Sequence, residues 1–263
     1  MTLLAIQNVT MRFGGVTAVE DVSLEVGENQ LLGFIGPNGA GKTTLMRIIT
    51  GVLRPQQGRV LFGGEDITRW AIHRRIRAGL ALGQQIVRPL RSLDLTDNVA
   101  LAVGTHRMAS PWAALLHTDR SAERARAREL LELVGIGEAA QAMPGELPLG
   151  FLKRLEVARA LALEPRLLLL DEPLAGLNQS EARAMADLIA ALVGPESMGP
   201  ESGGGRSVLL IEHNIREVAR ICPELYVQDN GRRLLQGPTK AVMASPELHR
   251  AYLGGPDSNG EAV

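Results

Sequence analysis

The chain has 263 residues, 45% of them hydrophobic and 22% charged, and a formal net charge of −1. That length carries a sizeable core in one large domain or two small ones, and the balanced charge gives no electrostatic reason for nucleic acid or an anionic membrane surface as main partner. Met1–Asn8 lacks the cationic leader and apolar run of a signal peptide, and no segment reaches the ~20 apolar residues of a membrane span. The single cysteine, Cys222, excludes an intramolecular disulfide framework and reads as a small buried residue.

In chain order, the opening reads as strands. Leu4, Ile6 and Val9 are apolar among polar neighbours, and Val22, Leu24 and Val26 alternate with Ser23 and Glu25, with turns at Gly14-Gly15 and Gly27–Asn29. Leu31–Ile35 is a buried strand, followed by a Gly-rich loop and a helix through Leu45, Ile48 and Ile49 that stops near Gly51. Val60–Phe62 is a short strand. From about Ile67 to Ala142 the pattern is helical, and Arg124, Arg126 and Arg128 alternating with Glu123 and Glu129 mark a solvated helix face. There follow a helix over Gly150–Leu163, a strand over Leu167–Leu170, a helix over Ser180–Val193, a strand over Ser207–Ile211, a helix over Ile215–Ile221 and two short strands between Leu225 and Leu235. Strands alternating with helices imply an α/β fold with a mainly parallel sheet, into which the central helical block is inserted. Gly194–Arg206, with GPES twice and then three glycines, reads as a flexible surface loop, and 254–263 as a fraying tail.

Two motifs carry chemistry. Gly36-Pro37-Asn38-Gly39-Ala40-Gly41-Lys42-Thr43-Thr44 satisfies G-x-x-x-x-G-K-[ST] between a predicted strand and a predicted helix, the context that motif requires. Its glycines let backbone N–H groups turn toward phosphate, the helix N-terminus adds its dipole, Lys42 reaches the β- and γ-phosphates, and the Thr43 hydroxyl is placed for Mg²⁺. Alone, the loop says only that a nucleoside triphosphate binds. Leu167-Leu168-Leu169-Leu170-Asp171-Glu172 is a buried strand ending in two acids, with Asp171 suited to hold Mg²⁺ and Glu172 to polarise the attacking water.

In their order along nearly the whole chain, these blocks resemble the ABC (ATP-binding cassette) ATPases. The resemblance implies a P-loop NTPase core with an N-terminal antiparallel β subdomain and a helical subdomain at about 84–163, all in one domain over 1–253. It also implies ATP and Mg²⁺ as ligands. Phe13, in Met11-Arg12-Phe13-Gly14-Gly15, matches the aromatic that stacks on adenine; core packing is the competing reading. The glutamine of the family's Q-containing loop falls on Gln84 or Gln85, and counting back from Leu95-Thr96-Asp97-Asn98-Val99 favours Gln85 as a contact to Mg²⁺ and the attacking water. His213 matches the switch histidine that meets the γ-phosphate. Ala175-Gly176-Leu177-Asn178 matches the loop that touches the facing subunit, with Asn178 replacing the usual Asp.

The chain departs from the family's L-S-G-G-Q signature, which caps the ATP held by the opposite cassette. Here the segment reads Leu147-Pro148-Leu149-Gly150-Phe151, which lacks the hydroxyl and the amide side chain; Gly150 and the helix N-terminus remain to present N–H groups. Two readings follow: a weakened composite site, or a partner with the better signature. The AGLN loop, the Ile211-Glu212-His213-Asn214 switch and the ending Leu248–Gly254 resemble the ATPase subunits of bacterial branched-chain amino-acid importers. That implies integral membrane subunits and a second ATP-binding subunit, the same or different. It further implies an extracytoplasmic solute-binding protein, a place on the cytoplasmic face of the inner membrane, and no nucleic-acid partner. The alternatives are a soluble ABC ATPase acting on nucleic acid or ribosomes, a weakly active regulatory cassette, or, among transporters, a lipopolysaccharide-export-type ATPase subunit.

Overall fold

The computed structural model describes residues 1–83, 89–105, 119–194 and 205–253. Gln84 and Gln85, the interior of the GPES loop and the 254–263 tail lie outside the described residues.

β1 (Thr2–Phe13) and β2 (Val16–Gly27) form a long antiparallel hairpin closed by the Phe13–Val16 pair, with Gly14 at φ 56° in the turn. β1 pairs on its other edge with β4 (Gln57–Phe62), which pairs with β5 (Glu65–Asp66), giving a sheet of order β2-β1-β4-β5. Leu4, Ile6, Val9, Val22, Leu24 and Val26 are buried while intervening polar residues face outward, the period-two pattern of a half-buried sheet. Register shifts along β1 bend this sheet, as bulges do.

The second sheet has the order β10-β9-β3-β8-β7-β6, built from β3 (Leu31–Ile35), β6 (Leu80–Gly83), β7 (Leu167–Asp171), β8 (Ser207–Ile211), β9 (Glu224–Asp229) and β10 (Arg232–Pro238). Its pairs are parallel except β9–β10. β3, β7 and β8 are continuous apolar runs because both faces are covered. One face packs on α1 (Lys42–Thr50) and the β1–β2 sheet, through Leu45, Ile48, Ile49, Leu32 and Phe34. The other carries the helical core.

β6 corrects the expectation of helix throughout Ile67–Ala142. Leu80-Ala81-Leu82-Gly83 is four residues long, and a short apolar run cannot be told from helix by periodicity; pairing with β7 decides it. The remaining helices are α2 (Ile72–Arg77), α3 (Leu95–Val103), α4 (Ser121–Leu133), α5 (Leu149–Leu161), α6 (Gln179–Ala191), α7 (Ile215–Ile221), α8 (Thr239–Met243) and α9 (Pro246–Leu253). Leu95 and Val99 of α3, Leu130 and Leu131 of α4, and Leu155 and Ala158 of α5 join one hydrophobic core with the sheet. Among the described residues no helix is long and apolar enough to cross a membrane. Cys222 is buried, and burial pushes its thiol up to about 12, so it behaves as a small core residue.

The C-terminal end of α1 is closed by a cation. Arg75, 1% exposed, donates from Nη1 to the carbonyls of Ile48 (2.8 Å) and Ile49 (2.6 Å), from Nη2 to Thr68 (3.0 Å) and from Nε to Trp70 (3.2 Å). These bonds satisfy carbonyls that a helix end leaves unpaired, and the positive charge suits the negative end of the dipole. Burial pulls the guanidinium down to about 10.

Candidate functional site

The carboxyl ends of β3, β7 and β8 lie side by side in the parallel sheet, and each delivers one part of the site. β3 runs into the Gly36–Gly41 loop, which turns into α1 at Lys42. Gly41 is the N-cap at φ 97° and Gly39 has φ 80°, backbone conformations that glycine adopts at no steric cost. A Cβ on Gly41 would run into the Ala18 carbonyl oxygen and stand 2.7 Å from Gln228 Nε2, whereas one on Gly39 would meet nothing within 4 Å. The loop is thus packed hard at its back and open along its front. Its back is pinned at the Ala40 carbonyl, which accepts from Gln228 Nε2 (2.7 Å) and from the Gly231 amide (3.0 Å).

Lys42 is buried, and its Nζ donates to the carbonyls of Gly36 (2.7 Å) and Pro37 (2.9 Å). Burial lowers its pKa, and the nearby Glu172 and Asp171 oppose that shift. Thr43, Asn38 and Gly39 are exposed and Thr44 is half-buried, on the same loop–helix junction.

β7 ends at Asp171, whose carboxyl is raised above the usual range by burial first and by Glu172 second, with Lys42, Lys153 and His213 opposing. Glu172 follows at φ 50°, a left-handed conformation uncommon for a residue with a side chain and one that concentrates at functional positions. Three elements fix it there. Its amide donates to the Ile211 carbonyl (2.9 Å), its own carbonyl accepts from Lys153 Nζ (3.0 Å), and its Oε1 lies 2.5 Å from His213 Nε2. His213 is in turn placed by Glu212, a buried carboxylate that accepts from the amides of Leu174 (2.6 Å) and His213 (3.1 Å). Burial raises the Glu212 pKa, and those amides oppose the shift.

The structure therefore brings Lys42, Asp171, Glu172 and His213 together. Three partners of that cluster, Lys153, Glu212 and Gln228, were not among the residues expected from sequence. Phe13 closes the hairpin tip and is 46% exposed, which removes core packing as its explanation. Its strand partner β2 reaches the phosphate-loop side through Ala18, beside Gly41 and Gly231. Gln85 lies outside the described residues.

The Leu147–Phe151 segment begins α5, with Pro148 as N-cap and no side-chain bond to the first turn. Gly150 abuts α6, where an added Cβ would lie 3.3 Å from Glu181 Oε1. Asn178 caps α6: its Oδ1 accepts from the Glu181 amide (3.0 Å), and Glu181 Oε2 accepts from the Asn178 amide (3.0 Å), a reciprocal capping box. That role explains why Asn is tolerated where the family pattern has Asp.

A parallel sheet with a glycine-rich loop and lysine after one strand, and acids after its neighbour but one, defines a P-loop nucleotide-binding cassette. The sequence profile of the ABC transporter family matches residues 19–175, and the chain belongs to that family. The high-affinity branched-chain amino acid transport ATP-binding protein BraF of Pseudomonas aeruginosa is 36% identical over 257 residues, 96% of this chain and 98% of that one. The lipopolysaccharide export system ATP-binding protein LptB of Haemophilus influenzae is 31% identical over 254 residues, 97% of this chain and 98% of its own. Among solved structures, the ADP conformation of MJ1267, an ATP-binding cassette of an ABC transporter, aligns with a TM-score of 0.82 and 28% identity, covering 97% of this chain and 100% of that one. The chain is an ATP-binding, ATP-hydrolysing subunit of an ABC transporter. Such ATPases dimerise and pair with membrane subunits.

Proposed function

We propose that this chain powers a bacterial importer of branched-chain or related amino acids from the cytoplasmic face of the inner membrane, with an extracytoplasmic binding protein delivering the solute. The observation that carries the reading is 36% identity to a branched-chain amino-acid transport ATPase over 96% of the chain.

The site residues take the following roles. Asn38 to Thr44 cradle the phosphates of ATP: the open front of Gly39 lets backbone N–H groups approach them, and Lys42 carries the charge. Phe13 offers an exposed ring to the adenine. The Thr43 hydroxyl and the Asp171 carboxyl are hard oxygen donors beside the phosphate loop, which fits Mg²⁺, and Gln85 is assigned to the same ion from its sequence position. Bound there, the ion neutralises charge on the phosphates. Glu172 accepts the proton of the attacking water, and His213, 2.5 Å from its carboxylate, orients that group and meets the γ-phosphate. Gly150 and the first turn of α5 present N–H groups to ATP bound by the facing cassette. Because Pro148 supplies no hydroxyl there, the reading includes an unlike partner cassette carrying the fuller signature.

The test is ATP-driven uptake of labelled leucine by proteoliposomes holding the chain, its two membrane subunits, a second cassette and the binding protein. Uptake should be abolished by Lys42→Ala. Uptake that survives this change, or transport of no amino acid, would overturn the proposal.

A further inference from the structure

Away from the nucleotide site the chain is strongly asymmetric in charge. Residues 47–77 hold seven arginines and two carboxylates, in a chain whose net charge is −1. Part of that segment lines a concavity of about 630 Å³ between the turn after α1, the start of β4 and the segment leading into α2. Arg54, Arg59 and Arg69 line it, all exposed, and among the described residues none of the three makes an ion pair or a side-chain hydrogen bond. The one carboxylate in its wall, Asp66, already accepts from the Thr68 amide (2.9 Å). Its pKa is held low by Thr68 first and by Arg59 and Arg69 after it.

Behind the wall stands the buried Arg75, which hydrogen-bonds only carbonyls and whose pKa is lowered by burial and then by Arg54. Arg74 stacks over the ring of Trp70 at 3.7 Å, and Trp70 itself walls the cavity. Like charges facing one concavity repel, and among the described residues Asp66 is the one carboxylate that the wall sets against the three. Three guanidinium forks around a polar concavity of ligand size match phosphate oxygens. The phosphate loop does not account for them, since it lies at the opposite end of α1, about 13 Å along a nine-residue helix.

We infer that this concavity is a second anion site, which takes phosphate groups without hydrolysing them. Two sources have that chemistry: a soluble phosphate compound, or the headgroups of an anionic phospholipid surface beside which the membrane subunits hold the chain.

The experiment compares the full chain with Arg54→Gln/Arg59→Gln/Arg69→Gln, both in a Lys42→Ala background that weakens the phosphate loop. Pyrophosphate binding is read by calorimetry, and co-sedimentation is read with phosphatidylglycerol and with phosphatidylcholine vesicles. At least one anionic probe should bind the parent chain, weaken with added salt, and bind the triple variant about tenfold more weakly, the sum of three partly exposed ion pairs. Pyrophosphate binding identifies the soluble source, and binding to phosphatidylglycerol vesicles alone identifies the lipid source. The Arg→Lys triple variant keeps the charge but not the forks and should bind more weakly than the parent yet more tightly than the Gln variant, which separates loss of charge from loss of fold. With Lys42 intact, ATPase activity of the Gln variant should be unchanged. Binding of neither probe, or equal binding by the Gln variant, overturns the inference.

Discussion

Substituting alanine at either of two glycines in the phosphate loop separates backbone strain from packing. Gly39 and Gly41 both have positive φ, 80° and 97°, so an added Cβ costs about 1–2 kcal/mol at each. At Gly39 that is the whole cost, since nothing lies within 4 Å of the new atom. At Gly41 the Cβ collides with the Ala18 carbonyl, which belongs to β2, and presses on Gln228 Nε2. Relief requires the loop to retreat, breaking the 2.7 Å bond from Gln228 to the Ala40 carbonyl and leaving a buried amide unpaired. That adds about 2–3 kcal/mol. The expected result, read by circular dichroism with no nucleotide added, is that Gly41→Ala melts about 5–10 °C below Gly39→Ala, at roughly 2–4 °C per kcal/mol for a chain near this size. Equal melting temperatures, or a lower one for Gly39→Ala, would refute the assignment of the loop's back and front.

Other outcomes follow from the same geometry. Glu172→Gln should still bind a fluorescent ATP analogue while turnover falls at least about 100-fold; near-normal phosphate release would remove Glu172 from its role. Pro148→Ser gives α5 a side-chain cap worth about 1 kcal/mol and should raise ATPase activity or ATP-dependent pairing of cassettes; no change in either would count against a weakened composite site. Arg75→Met strips buried carbonyls of their donor and should lower stability by about 3 kcal/mol in urea titrations, an effect that a surface arginine would not produce. Asp171 and Glu212 have pKa values raised by burial, so the folded chain holds their protons more tightly than the unfolded one. Stability should therefore fall as pH rises from the ordinary carboxylate range through their raised values, and Asp171→Asn should flatten that fall; a steeper fall in the variant would reverse the sign of the argument.

The phosphate loop and the two acids were legible because their chemistry is contiguous in sequence, a strand feeding a loop in each case. The alternation of β1 and β2 and the apolar runs of β3, β7 and β8 were legible for the same reason. β6 was not, since four apolar residues carry no period. Nor were the supports of the site. Gln228 reaches Ala40 across 188 positions, and in sequence it is one polar residue in a strand. In sequence Lys153 is one charge within the predicted Gly150–Leu163 helix, yet it is 5% exposed and burial lowers its pKa. Its place on one helix face with Val157 and Ala160, four and seven residues on, was the available signal, because a cation on an apolar face needs a partner. The arginine concavity was hidden for a related reason: the whole-chain charge of −1 averages over a segment of opposite character.

Lys153 also joins two features that sequence treats as separate. The segment that departs most from the family pattern, Leu147–Phe151, opens α5, and Lys153 stands one turn further along that helix. Its Nζ holds the carbonyl of Glu172, whose left-handed backbone makes the orientation of that peptide specific. Glu172 is held from the other side by its amide bond to the Ile211 carbonyl and by His213. A displacement of α5 along its axis therefore acts on the backbone of the proposed general base directly, through one hydrogen bond, while β8 resists it. Because a facing nucleotide would be met by the first turn of this same helix, contact made there and the aim of Glu172 share a single rigid element. The absence of a hydroxyl at Pro148 removes one contact from that turn but leaves the lever to Glu172 intact.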